Sequence, residues 1–342
     1  MLTSIAKKEL EKQQYRIIGN HSAVKICHWT KSMIRGNQGC YKLKFYGIMS
    51  SQCLQMTTSL SCANQCVFCW RDYKAPVSKE WKWRIDDPEL ILTESLKMHH
   101  QLMKGFNNKS QSYKLSNRVK HVALSLTGEP IAYPKINEII GIFNREGIST
   151  FLVTNAQYPE KIKNLKPVTQ LYISLDAPNK KLLKEIDKPL FKDFWSRLNK
   201  SLEYLSGKKQ RTCIRLTLIK NLNILEPEKY AELIKKGNPD FIEVKAYMHM
   251  GASQENLDKS SMPNHKEILE FSEKLNQFLP DYGLVSEHTS SRVVLLAKNK
   301  FKINGKWHTW IDFQKYNQLV NNNGEFSTED YLKQTPIKFI DL

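Results

Sequence analysis

Acidic residues are scarce in this chain: 34 Asp and Glu stand against 52 Lys and Arg, for a formal charge of +18. The deficit is local. Residues 101–120 hold five basic side chains and no acid, residues 1–60 hold nine against Glu9 and Glu11, and residues 161–220 hold fifteen against five. A field of that sign selects polyanions, and nucleic acid is the commonest large one. The plainer alternative is a solvated Lys-rich surface. No run of 18 or more apolar residues is present, so no membrane partner is expected. Residues 1–14 are charged and polar, without the apolar run of a secretory leader, which points to the cytoplasm. Internal repeats and low-complexity segments are also missing. With 41% hydrophobic residues there is ample material for a core, which excludes global disorder.

Cysteine is sparse after residue 69, where only Cys213 remains, and concentrated before it: six of the seven lie between residues 27 and 69. A disulfide framework suits small secreted domains, whereas clustered thiols in a reducing compartment point to metal or catalysis. Cys62, Cys66 and Cys69 form a Cys-x3-Cys-x2-Cys loop. Three thiolates within eight residues suit an iron–sulfur cluster or zinc, but zinc usually takes a fourth ligand, often from a second cysteine pair, and none follows. Three ligands on a four-iron cluster leave one iron open. Cys27, Cys40 and Cys53 recur at twelve-residue intervals, which is no zinc-finger spacing. They fit a second cluster, or three buried free thiols. Cys213 sits in an apolar strand-like run and reads as core.

From about residue 85 the pattern alternates between helix and strand. Asp87-Pro88 opens a helix running to about residue 104. Strands are expected at 121–126, 150–153, 170–175, 214–219, 241–246 and 293–297. Helices are expected at 134–146, 190–206, 227–236 and 264–278. Counting the run before the cysteine loop, about six βαβ units result, so the fold class is α/β with a parallel sheet, as a partial or closed barrel. An open doubly wound sheet is the alternative. Chemistry collects at the C-terminal ends of such strands. Thr127-Gly128-Glu129-Pro130, Thr154-Asn155 and Ser174-Leu175-Asp176 each follow one. Singly, each is also ordinary turn chemistry.

The Cys62–Cys66–Cys69 loop, with Phe68 before its third cysteine, resembles the radical S-adenosylmethionine superfamily. That resemblance implies a partial (β/α)6 barrel with N- and C-terminal extensions, divided at 1–58, 59–290 and 291–342. It also implies a 4Fe–4S cluster whose open iron chelates S-adenosylmethionine and reduces its sulfonium. Gly128 and Glu129 resemble the segment that receives the methionine amino group. Phe68, Asn155, Ser174 and Asp176 are the further cofactor-binding candidates.

A narrower resemblance covers residues 20 to 300 or so. It rests on Cys27-His-Trp, Gly39-Cys40-Tyr41-Lys42-Leu-Lys44-Phe-Tyr46-Gly47, Cys53-Leu-Gln-Met56, Cys69-Trp70-Arg71, Thr154-Asn155-Ala156-Gln157, Ser174-Leu-Asp176-Ala-Pro178 and Glu243-Val-Lys245-Ala-Tyr247-Met248. These runs look like the archaeal tRNA 4-demethylwyosine synthases. The implied reaction, of lyase type, condenses N1-methylguanosine beside the anticodon of phenylalanine tRNA with two carbons of pyruvate. It implies two 4Fe–4S clusters, the auxiliary one on Cys27, Cys40 and Cys53. It also implies a monomer served by an external electron donor such as a flavodoxin or ferredoxin, since no flavodoxin-like segment precedes residue 20. Pyruvate would be held as a Schiff base on Lys42 or chelated at the open auxiliary iron. Chelation is the preferred expectation, because it supplies a Lewis acid directly, whereas the amine needs a depressed pKa. Lys245 is a substrate candidate, with a salt bridge to Glu243 as its structural alternative. Arg71, Trp81, Lys82, Trp83 and Arg84 offer an RNA entrance, the two tryptophans equally a core. Competing readings are another radical tRNA-modifying enzyme, such as a methylthiotransferase, and a non-catalytic zinc and RNA-binding protein.

Overall fold

The computed structural model describes residues 2–71, 75–106, 111–322 and 324–336. Six strands run parallel: β3 (Cys53–Thr57), β4 (His121–Leu124), β5 (Ser149–Thr154), β6 (Gln170–Ser174), β7 (Arg211–Leu218) and β8 (Phe241–Ala246). A short hairpin, β1 (Arg16–Ile18) and β2 (Ser22–Val24), adds antiparallel at one edge. At the other edge β9 (Tyr282–His288) and β10 (Val293–Lys298) close the order β1-β2-β3-β4-β5-β6-β7-β8-β10-β9. The two edges do not pair, so the barrel is partial. The sheet runs through both expected boundaries, since β3 precedes residue 59 and β10 follows residue 290. Among the described residues no helix is long and apolar enough to cross a membrane.

Local signals place the helices. Asp87 caps Pro88–Met103 by accepting from the Glu89 and Leu90 N–H groups, with Pro88 in the first turn. The helix expected from residue 190 begins at Phe194 instead; the Leu190 N–H donates to the Ala63 carbonyl at 2.8 Å, tying the segment before the helix to the cysteine loop. Lys180–Asp187 forms a helix that the sequence reading leaves as loop. Asn179 caps it, and Leu183 and Ile186 bury one face; the period is present but spans only eight residues.

The barrel interior is filled at the N-terminal ends of the strands. Phe301, Tyr316, Phe326 and Tyr331 from the C-terminal extension pack there with Phe45, Tyr46, Phe151, Tyr172, Cys213 and Phe241. Cys213 is therefore core, as expected. The fully buried Arg211 donates to the Thr309 carbonyl at 2.6 Å and lies 4.4 Å from the Phe241 ring centre. The same extension explains residues 307–310, which carry no functional signal in the sequence. The helix Tyr41–Tyr46 leaves its last carbonyls unpaired. Thr309 Oγ1 donates to Phe45, Trp310 Nε1 to Lys44 and the Ile311 N–H to Tyr46, at 2.6, 2.9 and 3.1 Å. That helix carries Lys42, so the C-terminal extension fixes its position.

Acid lability follows from His99. It is 1% exposed on Pro88–Met103, neither ring nitrogen has a hydrogen-bond partner among the described residues, and burial, then His100, pushes its pKa down to about 4. The unfolded chain takes up this proton below about pH 6.5 and the native state only near 4, so stability is lost as pH falls through that window. The cost by pH 5 is about 2 kcal/mol. Thermal melts of the metal-free protein from pH 7 to 5 should show His99→Leu gaining on the parent as pH falls. An offset that stays constant with pH would contradict this.

Candidate active site

The loop from Cys62 to Cys69 follows β3 and is clamped from behind. The Gln65 and Val67 N–H groups donate to the Asp187 and Ile186 carbonyls at 3.0 and 2.8 Å. Asn64 Nδ2 donates to Asp187 Oδ2, and the Arg71 guanidinium reaches the Asn64 and Pro76 carbonyls. Arg71 is 5% exposed and serves the loop rather than an RNA entrance. Trp83 is buried and Trp81 packs on His21, Trp83 and Tyr133, so both belong to the core, while Lys82 and Arg84 are exposed.

Strand ends bring the cofactor candidates to this loop. Glu129 follows β4, is 2% exposed, and accepts from the Asn155 N–H at 2.9 Å through Oε2, while Asn155 Nδ2 lies 3.4 Å from Cys62 Sγ. Asn155, just beyond β5, thus bridges carboxylate and thiol. Gly128 has φ +66°, and a Cβ there would lie 1.9 Å from the Ser59 carbonyl oxygen, so only glycine lets the segment pass so near the loop. Glu129 Oε1 and Asp176 Oδ1 are buried without hydrogen-bond partners among the described residues. Burial, against opposing hydrogen bonds, pushes both carboxyls up to about 7. Ser174 ends β6, half-buried, and Phe68 is half-buried against the main core.

Neighbouring thiols add to burial in disfavouring the ionisation of Cys27, Cys53, Cys62 and Cys66. Burial, then a neighbouring Asp or thiol where no cation intervenes, raises Cys66 and Cys27, and Cys53 and Cys62 are pushed up to about 12. Cys69, Cys62 and Cys66 interact in one group, Cys27, Cys40 and Cys53 in another. Half-buried, clustered thiols suit a cationic cluster that stabilises all three as thiolates. Among the described residues no three His, Cys, Asp or Glu side chains gather around a single ion. The two sets flank opposite ends of β3, since Cys53 begins the strand and the cysteine loop follows it. Its five residues separate them by roughly 13 Å.

Between those ends, alternate residues of β6, β7 and β8 point inward. Arg215 Nε donates to Glu243 Oε2 at 2.9 Å across the β7–β8 register, and Tyr41 and Tyr46 hydroxyls donate to the same carboxylate at 3.1 and 2.9 Å. Lys245 does not pair with Glu243 but donates to the Ser291 carbonyl at 3.1 Å, and burial, then Arg215, lowers it to about 8. The Lys42 ammonium lies 4.6 Å from the Tyr172 ring centre and 5.8 Å from Phe151, with no ion pair or hydrogen bond among the described residues. Burial, then Arg215, holds its pKa below the usual lysine range. The Tyr172 hydroxyl is buried without a partner. Sequence reading singles out Lys42 and Lys245, names Glu243 only as a salt-bridge partner of Lys245 and Tyr41 only within a motif, and misses Arg215 and Tyr172. The signal available for Tyr172, Arg215 and Glu243 is the period of two: Tyr172-x-Ser174, Cys213-x-Arg215-x-Thr217 and Glu243-x-Lys245.

Comparison with known proteins extends this geometry. A family model described as Radical SAM superfamily matches residues 56–234, and one described as Wyosine base formation matches residues 236–298. The mouse S-adenosyl-L-methionine-dependent tRNA 4-demethylwyosine synthase TYW1 is 49% identical over 98% of this chain and 48% of its own length. A structure of TYW1 with a lysine-pyruvate adduct bound aligns with TM-score 0.80 and 37% identity, covering 89% of this chain and 99% of that one. The crystal structure of archaeal TYW1 aligns with TM-score 0.73 and 34% identity over the same shares. The likeness therefore reaches eukaryotic as well as archaeal proteins. The chain spans about half the length of the curated relatives it matches. A radical cysteine loop, a partial barrel and similarity across nearly the whole chain place it in one group: it belongs to the TYW1 family of the radical SAM superfamily.

Proposed function

We propose that this protein is a tRNA 4-demethylwyosine synthase, which builds the tricyclic base from N1-methylguanosine of phenylalanine tRNA and two carbons of pyruvate. The observation that carries the reading is the charge inside the barrel. Lys42, Arg215 and Lys245 face one carboxylate, Glu243, which leaves an enclosed positive surplus suited to a small anion such as pyruvate.

Radical SAM membership implies S-adenosylmethionine and a 4Fe–4S cluster. Cys62, Cys66 and Cys69 would hold that cluster, and Cys27, Cys40 and Cys53 a second one. Bound together, the cluster and S-adenosylmethionine would supply the radical chemistry that activates the N-methyl group. Glu129 Oε1 accepts from the methionine amino group, Gly128 allows the approach, and Asn155, Ser174, Asp176 and Phe68 position the rest of the cofactor. Arg215 and Lys245 orient the pyruvate carboxylate. The Lys42 amine attacks the keto carbon, a C=N bond forms and water leaves.

Between the two ways of holding pyruvate, preference passes from iron chelation to Lys42. Its amine makes no ion pair among the described residues, burial and then Arg215 disfavour its charged form against the pull of Glu243, and a family member carries a lysine-pyruvate adduct. Electrons come from an external donor such as a flavodoxin or ferredoxin, and the enzyme works as a cytoplasmic monomer of three segments, 1–58, 59–290 and 291–342. The test is anaerobic reconstitution, followed by reaction with N1-methylguanosine tRNA, pyruvate, reductant and S-adenosylmethionine. Nucleoside digests should contain the tricyclic base only when pyruvate is present. Unchanged methylguanosine alongside released 5′-deoxyadenosine would overturn the assignment.

A further inference from the structure

Lysines elsewhere on this surface are often neutralised: Lys200, Lys209 and Lys220 each pair with a glutamate at 2.6 Å. Four others behave differently. Lys180, Lys181, Lys184 and Lys192 are exposed, make no ion pair among the described residues, and line one groove of about 590 Å³. The acids of that stretch are occupied or absent from the groove. Asp187 is buried toward Asn64, Asp193 is bound by Arg197 at 2.9 Å, and Glu185 does not line it. Phe191 stands in the groove as a half-exposed ring, held by the Arg197 guanidinium 3.7 Å from its centre and by Tyr158 edge-on at 5.7 Å.

The groove sits on the catalytic rim, since its helix follows the β6 end that carries Asp176. Its wall is also the clamp of the cysteine loop: Ile186, Asp187 and Leu190 make backbone hydrogen bonds to Val67, Gln65 and Ala63. Four unpaired cations around a fixed aromatic ring match a single-stranded polyanion whose bases stack.

We propose that this groove seats the backbone of the RNA substrate: the four lysines take anticodon-loop phosphates and Phe191 carries an adjacent base. RNA so held keeps a fixed register with the loop of Cys62, Cys66 and Cys69. The inference rests on the tRNA reading above and adds the surface that grips the RNA.

The test is fluorescence anisotropy of a labelled anticodon stem-loop titrated with the reconstituted enzyme over a salt series. Combining Lys180→Ala, Lys181→Ala, Lys184→Ala and Lys192→Ala should reduce the slope of log K against log salt by about 3, and weaken binding roughly a hundredfold near 0.1 M salt. The four Lys→Arg replacements should restore both. Phe191→Ala should weaken binding and leave the slope intact. Lys235→Ala with Lys236→Ala, on the helix turn that precedes β8 at the other end of the sheet, should change neither. If the quadruple alanine variant melts like the parent and keeps its slope and affinity, the groove assignment fails while the tRNA reading stands. A parent enzyme that binds no stem-loop overturns both.

Discussion

Replacing Lys42 with arginine is expected to reduce tricyclic-base formation by at least about 10³-fold while cofactor cleavage continues, a modest loss beside the ~10⁵–10⁸ M effective molarities of tethered reactants. Arginine keeps the positive charge but does not deprotonate in proteins, so it cannot form an imine with pyruvate. That makes the substitution more informative than alanine. If Lys42 acts only as a charge beside chelated pyruvate, arginine should keep activity within about tenfold of the parent, the scale of one retained ionic contact. If Lys42 is the nucleophile, arginine and glutamine should be equally inactive. The structure favours the second outcome, because burial and the neighbouring Arg215 outweigh Glu243 and hold the Lys42 amine below the usual lysine range. The measurement is nucleoside analysis of tRNA digests, with 5′-deoxyadenosine quantified in the same reactions.

Replacing Cys66 with alanine should remove both products. Cofactor cleavage should fall to background, a loss of at least about 10⁶-fold, the low end of enzymatic acceleration. Iron content should drop from about eight to about four atoms per chain, one cubane of the expected pair. Cys27→Ala is expected to lower iron equally but to spare cofactor cleavage while base formation is lost. Cys213→Ala should leave iron and both activities in place, since that thiol is buried in the aromatic plug among Tyr46, Tyr172 and Phe241. Cofactor cleavage by Cys66→Ala at the parent rate would contradict the assignment of the loop.

What could be read from the chain depended on how local each signal is. The Cys62–Cys69 loop occupies eight residues, so its resemblance to the radical S-adenosylmethionine loop is legible within one short segment. The six parallel strands were legible because each is a short apolar run bounded by helix signals. The hairpin β1–β2 was not, since three-residue strands carry no readable period and exist through pairing with β3. β9 has Ser286, Glu287 and His288 in its second half and gains its strand character from β10.

The site shows the same division. Glu129, Asn155 and Asp176 announce themselves because they follow strands. Arg215 and Glu243 meet only through the β7–β8 register, and Tyr41 joins them only when its helix docks inside the barrel. No single segment encodes that contact. Arg71, Trp81 and Trp83 mislead for a related reason: a basic–aromatic run resembles an RNA surface, but burial of Arg71 under the cysteine loop and of the tryptophans beside His21 decides their role. The segment 307–310 has no local signature, because its partners are carbonyls of a helix more than 260 residues away in sequence.

Reductive trapping tests the role of Lys42 most directly. The anaerobically reconstituted enzyme is incubated with pyruvate and cyanoborohydride, digested, and mapped by mass spectrometry. A carboxyethyl group on the peptide containing Lys42, absent without pyruvate, is the expected result. An unmodified Lys42, in enzyme that still converts methylated tRNA to the tricyclic base, would contradict the account.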